Sequence, residues 1–102
     1  SSSYRNLDSI INYLRINKRP IIILQPDTPD FVRSFMEKYN VYLIYPFIYR
    51  KRIVGFLILN EPPGHRYALR ALDIFAKKAA VSIQKMLDFA AADKAGRIQL
   101  GD

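Results

Sequence analysis

Catalysis needs nucleophiles, acids, bases or metal ligands at spacings that let them converge, and this chain offers few. His65 is its single histidine, and cysteine is absent. One imidazole without thiolates or clustered carboxylates cannot build a transition-metal site of familiar spacing. The carboxylates Asp8, Asp27, Asp30, Glu37, Glu61, Asp73, Asp88, Asp93 and Asp102 are scattered, and no pair of them suggests general acid–base work. Ser34 and Ser82 fall in helical patterns with no evident base, and Gly64 and Gly96 stand alone rather than in a phosphate-cradling loop. These residue types argue against an enzyme and call for no metal and no cofactor.

Binding chemistry is better represented. The chain holds seven tyrosines. Tyr42, Tyr45 and Tyr49 surround Pro46, and Tyr13, Tyr39 and Tyr67 lie near element ends. A buried tyrosine needs a partner for its hydroxyl, so these side chains either line a cavity or straddle core and surface. The formal charge of +7 invites a nucleic-acid reading. Yet the cations are spread over Arg15, Lys18 and Arg19, over Arg50, Lys51 and Arg52, over Arg66 and Arg70, and over Lys77, Lys78 and Lys85. Most sit at element ends or on a polar helix face, which argues against that reading. Its best anchor is Arg50-Lys51-Arg52, where it predicts an affinity that falls steeply with salt.

The elements that must position these residues follow from periodicity. With 102 residues, half of them hydrophobic and a quarter charged, the chain suits one domain with a real core. Leu7, Ile10, Ile11 and Leu14 recur at helical spacing, predicting a helix over residues 6–17 that Lys18, Arg19 and Pro20 end. The run Ile21-Ile22-Ile23-Leu24 predicts a short buried strand. A turn through Pro26 and Asp27 then leads to a second helix, with Thr28 as N-cap, Pro29 at the first helical position and Asp30 complementing the dipole. Phe31, Val32, Phe35, Met36 and Tyr39 give that helix its apolar face, and Asn40 can stop it.

Residues 41–49 and 52–60 read as neighbouring antiparallel strands around a basic bend. Pro46 cannot donate to a ladder, so it must lie at an edge-facing position or a bulge, and Gly55 marks a second irregularity or a close approach. The loop over residues 61–66 precedes the longest element, a helix from Tyr67 to about residue 92. Leu69, Leu72, Ala76, Ala79, Ile83, Met86 and Ala90 alternate spacings of three and four along it, a heptad seam that Phe75, Ala80 and Leu87 widen. Residues 93–102 lose the pattern and read as a tail or linker, leaving residues 1–92 as the domain. No apolar run approaches the length of about 18 residues that spans a bilayer. The opening Ser1-Ser2-Ser3 has no apolar segment behind it and does not read as a signal peptide. Absence of cysteine fits a reducing, cytoplasmic setting.

The ordered pattern from Val41 onward resembles the C-terminal part of a GAF domain. The match runs through the proline-bearing strand Leu43-Ile44-Tyr45-Pro46-Phe47, a short turn, and the glycine-bearing strand Ile53-Val54-Gly55-Phe56-Leu57-Ile58-Leu59. A final helix follows with Leu72, Ala76, Ala79, Ala80 and Ile83 at the family's positions. Upstream, the segment "LDSIINYLRINKRPIIIL" resembles the family's middle helix and the strand after it. The resemblance covers most of residues 7–88 and implies an α+β fold with a GAF-like, PAS-like antiparallel sheet flanked by helices. That sheet is short by the family's N-terminal strands. It also implies a non-catalytic regulatory module of a bacterial signalling protein, of the sensor histidine kinase or diguanylate cyclase type. Such a module dimerises through the seam named above, and the continuing helix couples it to an output domain of a longer chain. A residual small-molecule site would draw on Phe31, Tyr42, Tyr45, Tyr49 and His65. No chromophore-attaching cysteine or cyclic-nucleotide signature accompanies the pattern, so neither cofactor is implied. The alternatives are a small-molecule sensor with a working cavity and a basic nucleic-acid-binding module.

Overall fold

The computed structural model describes the backbone of residues 2–94 and the side chains of residues 7–94. Its elements are α1 (Ser2–Asn17), β1 (Ile21–Ile22), α2 (Asp30–Lys38), β2 (Leu43–Tyr49), β3 (Arg52–Leu59) and α3 (Ala68–Lys94). The class is α+β: three helices and a three-stranded antiparallel sheet in the order β1-β2-β3. Alternation along β2 divides the molecule into layers. Ile44 faces α1 and α2, joining Ile10, Leu14, Val32 and Met36 in one cluster. Leu43, Tyr45 and Phe47 face α3 and pack on Ala76 and Ala80.

Local chemistry explains how the helices end. The amide of Lys18 donates to the Leu14 carbonyl at 2.8 Å, and Lys18 takes a positive φ of 53°, so α1 stops in a left-handed cap. α2 stops in a Schellman motif: Val41 N–H donates to Met36 O, Asn40 N–H to Glu37 O, and Asn40 has φ 53°. Val41 and Met36 are then both buried in the same cluster, the apolar contact that accompanies this motif.

Four expectations need correction. α1 begins at Ser2, not residue 6, because its first turns carry no apolar periodicity to reveal them. The strand over residues 21–24 is only Ile21–Ile22; the chain turns at Ile23, and Leu24 is 78% exposed. Thr28 does not cap α2. Pro29 holds the N-cap position without a side-chain cap, while the Thr28 hydroxyl donates to the Ile22 carbonyl at 2.9 Å. Thr28 and Arg33, which donates to the carbonyls of Ile23 and Gln25, together supply the donors that fix the turn after β1. Finally, α3 continues two residues past the expected boundary to Lys94; the rest of the expected tail lies outside the described residues.

The hairpin is a two-residue turn. Tyr49 pairs with Arg52, and Arg50 and Lys51 between them have φ of 48° and 68°, the backbone of a type I′ turn. A bulge interrupts the ladder where Phe47 pairs with Gly55 but Ile48 pairs with Ile53, leaving Val54 extra on β3. Pro46 is paired with Phe56 on its β3 side, and β1 begins opposite Ile44, so no strand asks for an amide on the other side.

Candidate functional site

β1 begins only at Ile21, opposite Ile44, and so leaves a notch along β2 between α1 and α3. Tyr45 stands at its centre and borders two adjoining cavities of about 320 Å³ and about 290 Å³. Tyr13, Asn17, Thr28 and Leu69 contribute to the first; Lys18, Pro46, Asp73 and Lys77 to the second. Pro46 therefore serves the notch twice. It needs no partner strand on that side, and its ring forms part of the wall.

Across the notch the Tyr45 hydroxyl donates to Asp73 Oδ1 at 2.9 Å, and Lys77 Nζ lies 3.1 Å from Asp73 Oδ2. Burial pushes the Tyr45 phenol up to about 12, helped by its hydrogen bond to Asp73 and by that carboxylate's charge. Asp73 is held below the usual carboxylate value by the hydrogen bond from Lys77, then by the one from Tyr45. The cluster pairs its charges internally: the phenol stays protonated at neutral pH, and the carboxylate is occupied by two donors. It offers orientation and polarity to a ligand, with no free base for proton abstraction.

Of the residues expected to bind a ligand, Tyr45 alone among the five borders this notch. Phe31 is half exposed on α2 and meets Tyr13 edge-on with ring centroids 6.0 Å apart. Tyr42 and Tyr49 pack at the margin of the α3 layer, and the Arg50 guanidinium lies over the Tyr49 ring. His65 sits in the exposed loop, where its Nδ1 accepts from the Tyr67 amide at 3.1 Å. Asp73 and Lys77 were missed as site residues. Their i, i+4 spacing was legible, but their approach to Tyr45, 28 positions away, was not.

The α3 seam also divides. Leu72, Ala76, Ala79 and Ile83 pack on the chain's own sheet, whereas Leu69, Met86 and Ala90 are exposed. Gly55 permits this packing, since a Cβ there would lie 3.1 Å from the Phe47 ring and 3.3 Å from Ile83 Cδ1. A second stripe runs beside the first. Phe75, Ala79, Ser82, Met86 and Phe89 alternate spacings of four and three, with Phe75 52%, Met86 70% and Phe89 45% exposed. Every residue from 85 to 91 is exposed, with Leu87 and Asp88 still bordering a cavity beside Arg52, Ile53 and Val54 of β3.

No family model matches the sequence, and neither the curated proteins nor the solved structures compared with it yield a match. Among the described residues no group of three or more metal-ligating side chains comes together, and no helix is long and apolar enough to cross a membrane.

Proposed function

We propose that this chain is a non-catalytic regulatory module of the GAF-like kind that self-associates through the outer stripe of α3. The observation that carries the reading is the exposure of Phe75, Met86 and Phe89 at heptad spacing on a helix whose sheet-facing stripe is already satisfied. A second copy is the occupant that such a stripe fits: in a parallel, two-fold pair each residue meets its own counterpart, and spacings of four and three keep both helices in register. In a signalling chain of the sensor kinase or cyclase type, an output domain continuing from α3 would feel any change in that pairing. Control then takes the form of a coupling free energy between helix packing and output.

The test is sedimentation equilibrium on the wild type and on Met86→Glu/Phe89→Glu, whose altered side chains start from exposed positions and leave the cores intact. A wild-type dimer that becomes a folded monomer in the variant supports the reading. A monomeric wild type, or a dimer indifferent to the substitutions, overturns it. The notch at Tyr45 favours a second reading, a sensor of a small polar molecule. There a saturating ligand raises Tm by linkage, and Tyr45→Phe weakens the effect.

A further inference from the structure

We propose that the concavity between the end of α1 and the β2–β3 turn binds a phosphoryl group carrying at least two negative charges. The site is about 370 Å³ and is lined by Arg15, Lys18, Lys51, Arg52 and Ile53. Four formal positive charges thus surround one hollow, with Ile53 as its apolar wall. Among the described residues the ion pairs are Arg33 with Asp30 and Lys77 with Asp73, so none of these four cations is neutralised by a carboxylate. Lys18 Nζ donates to the Arg15 backbone carbonyl at 2.8 Å, which holds its ammonium at the last turn of α1. Asp88 borders the adjoining cavity that Arg52 and Ile53 share, where it accepts from Gln84 Nε2.

The backbone gives a second, independent reason. Among the described residues, those other than glycine with positive φ are Lys18, Asn40, Arg50 and Lys51. Asn40 is a residue type suited to that conformation, but a lysine after a helix and an arginine–lysine pair in a type I′ turn are not. Glycine or asparagine would relax all three positions. The chain instead keeps long cations there, and two of them, Lys18 and Lys51, line the hollow. Strain retained at a set of converging like charges points to a bound counter-charge.

The chemistry selects the ligand. One carboxylate would leave most of the site's charge uncompensated. A phosphate monoester or a diphosphate presents several oxygens to the two guanidinium forks and the two ammonium groups. This inference stands apart from self-association, which concerns the outer stripe of α3, so either can fail alone.

The experiment is calorimetric titration at low ionic strength with inorganic pyrophosphate and, in a second arm, with phosphatidylcholine vesicles containing phosphatidic acid, whose headgroup is a phosphate monoester. Each is run on the wild type and on Lys18→Gly/Lys51→Gly. Both glycines fall at positive φ, so the variant should keep or raise its Tm while losing two charges of the site. Saturable binding of pyrophosphate that weakens roughly tenfold or more in the variant supports a free phosphorylated solute. Vesicle binding that pyrophosphate competes away, and that the variant loses, supports the same site with a lipid headgroup as its source. Should the glycine variant lose stability, Arg15→Gln/Arg52→Gln replaces it with the same criteria. Absence of binding in both arms overturns the proposal, as does binding that ignores both variants. Tighter binding to a duplex oligonucleotide than to pyrophosphate, with a salt slope exceeding what four cations supply, overturns it in favour of nucleic acid.

Discussion

The two faces of the sheet are closed by different means. Towards α1 and α2 the core is filled by long and branched side chains; Leu14, Val32 and Met36 there are at most 1% exposed. Towards α3 the helix buries Ala76 and Ala80 with Ala79 beside them, and Gly55 on the sheet leaves room for the Phe47 ring and the Ile83 side chain. Leu72 and Ile83 add larger side chains to this face, while Met86 and Phe89 of α3 stay exposed. One face encloses its apolar mass within the fold, and on the other α3 leaves Met86 and Phe89 exposed. The contrast shows how a single helix can carry two overlapping apolar stripes of which its own sheet covers one.

Cavity formation should separate the faces most sharply. Leu14→Ala removes the centre of the α1/α2 layer and should cost about 2–5 kcal/mol in urea unfolding. On the other face the vulnerable change is an addition. Gly55→Val places methyl groups against Phe47 and Ile83, pushes α3 outward and should cost about 1–3 kcal/mol by the same measurement. If Gly55→Val proves harmless while Leu14→Ala proves severe, α3 is free to shift on the sheet and the close approach at Gly55 is not a constraint. Equal losses would erase the distinction between a filled face and a fitted one.

The smallest effect concerns the polar link from β2 to α3. The Tyr45 phenol is raised from 10.0 to about 12, so the stability it contributes is complete below pH 10 and drains away as pH climbs towards about 12. Asp73, whose pKa is lowered, works in the opposite sense: its contribution is present above the usual carboxylate range and is lost as pH falls through it. Tyr45→Phe should therefore flatten the alkaline limb of a Tm-against-pH profile and shift the acid limb slightly. An unchanged alkaline limb would mean that the hydroxyl does not join the two elements in solution.

Much of the fold was legible because it rests on local signals. The hairpin announced itself through two apolar runs around a basic pair, α2 through its period and Asn40, and α3 through its length. What escaped depended on partners distant in sequence. Nothing in Ile21-Ile22-Ile23-Leu24 shows that Thr28 and Arg33 will claim its last carbonyls and turn the chain away after two paired residues. Thr28 looked like a cap because a hydroxyl before Pro-Asp usually is one; a carbonyl across the turn competed for it and won. On α3, periodicity revealed a stripe but could not say which side meets the sheet, since Ala79 belongs to both stripes. Of the five residues expected at a ligand site only Tyr45 borders the notch, because the notch's position depends on where β1 begins.

The outer edge of β3 also bears on how the protein behaves at high concentration. Beyond the bulge, Gly55-Phe56-Leu57-Ile58-Leu59 is a run without charge or proline, with Phe56 and Ile58 exposed on one side and backbone groups unpaired along the strand. Such an edge can template strand addition by another chain and, in the extreme, fibrous aggregation. The bulge at Val54 breaks its regularity and Arg52 charges its near end, so the hazard is confined to the far half of the strand. The chain's net charge of +7 works in the same direction as a colloidal safeguard, since like-charged copies repel.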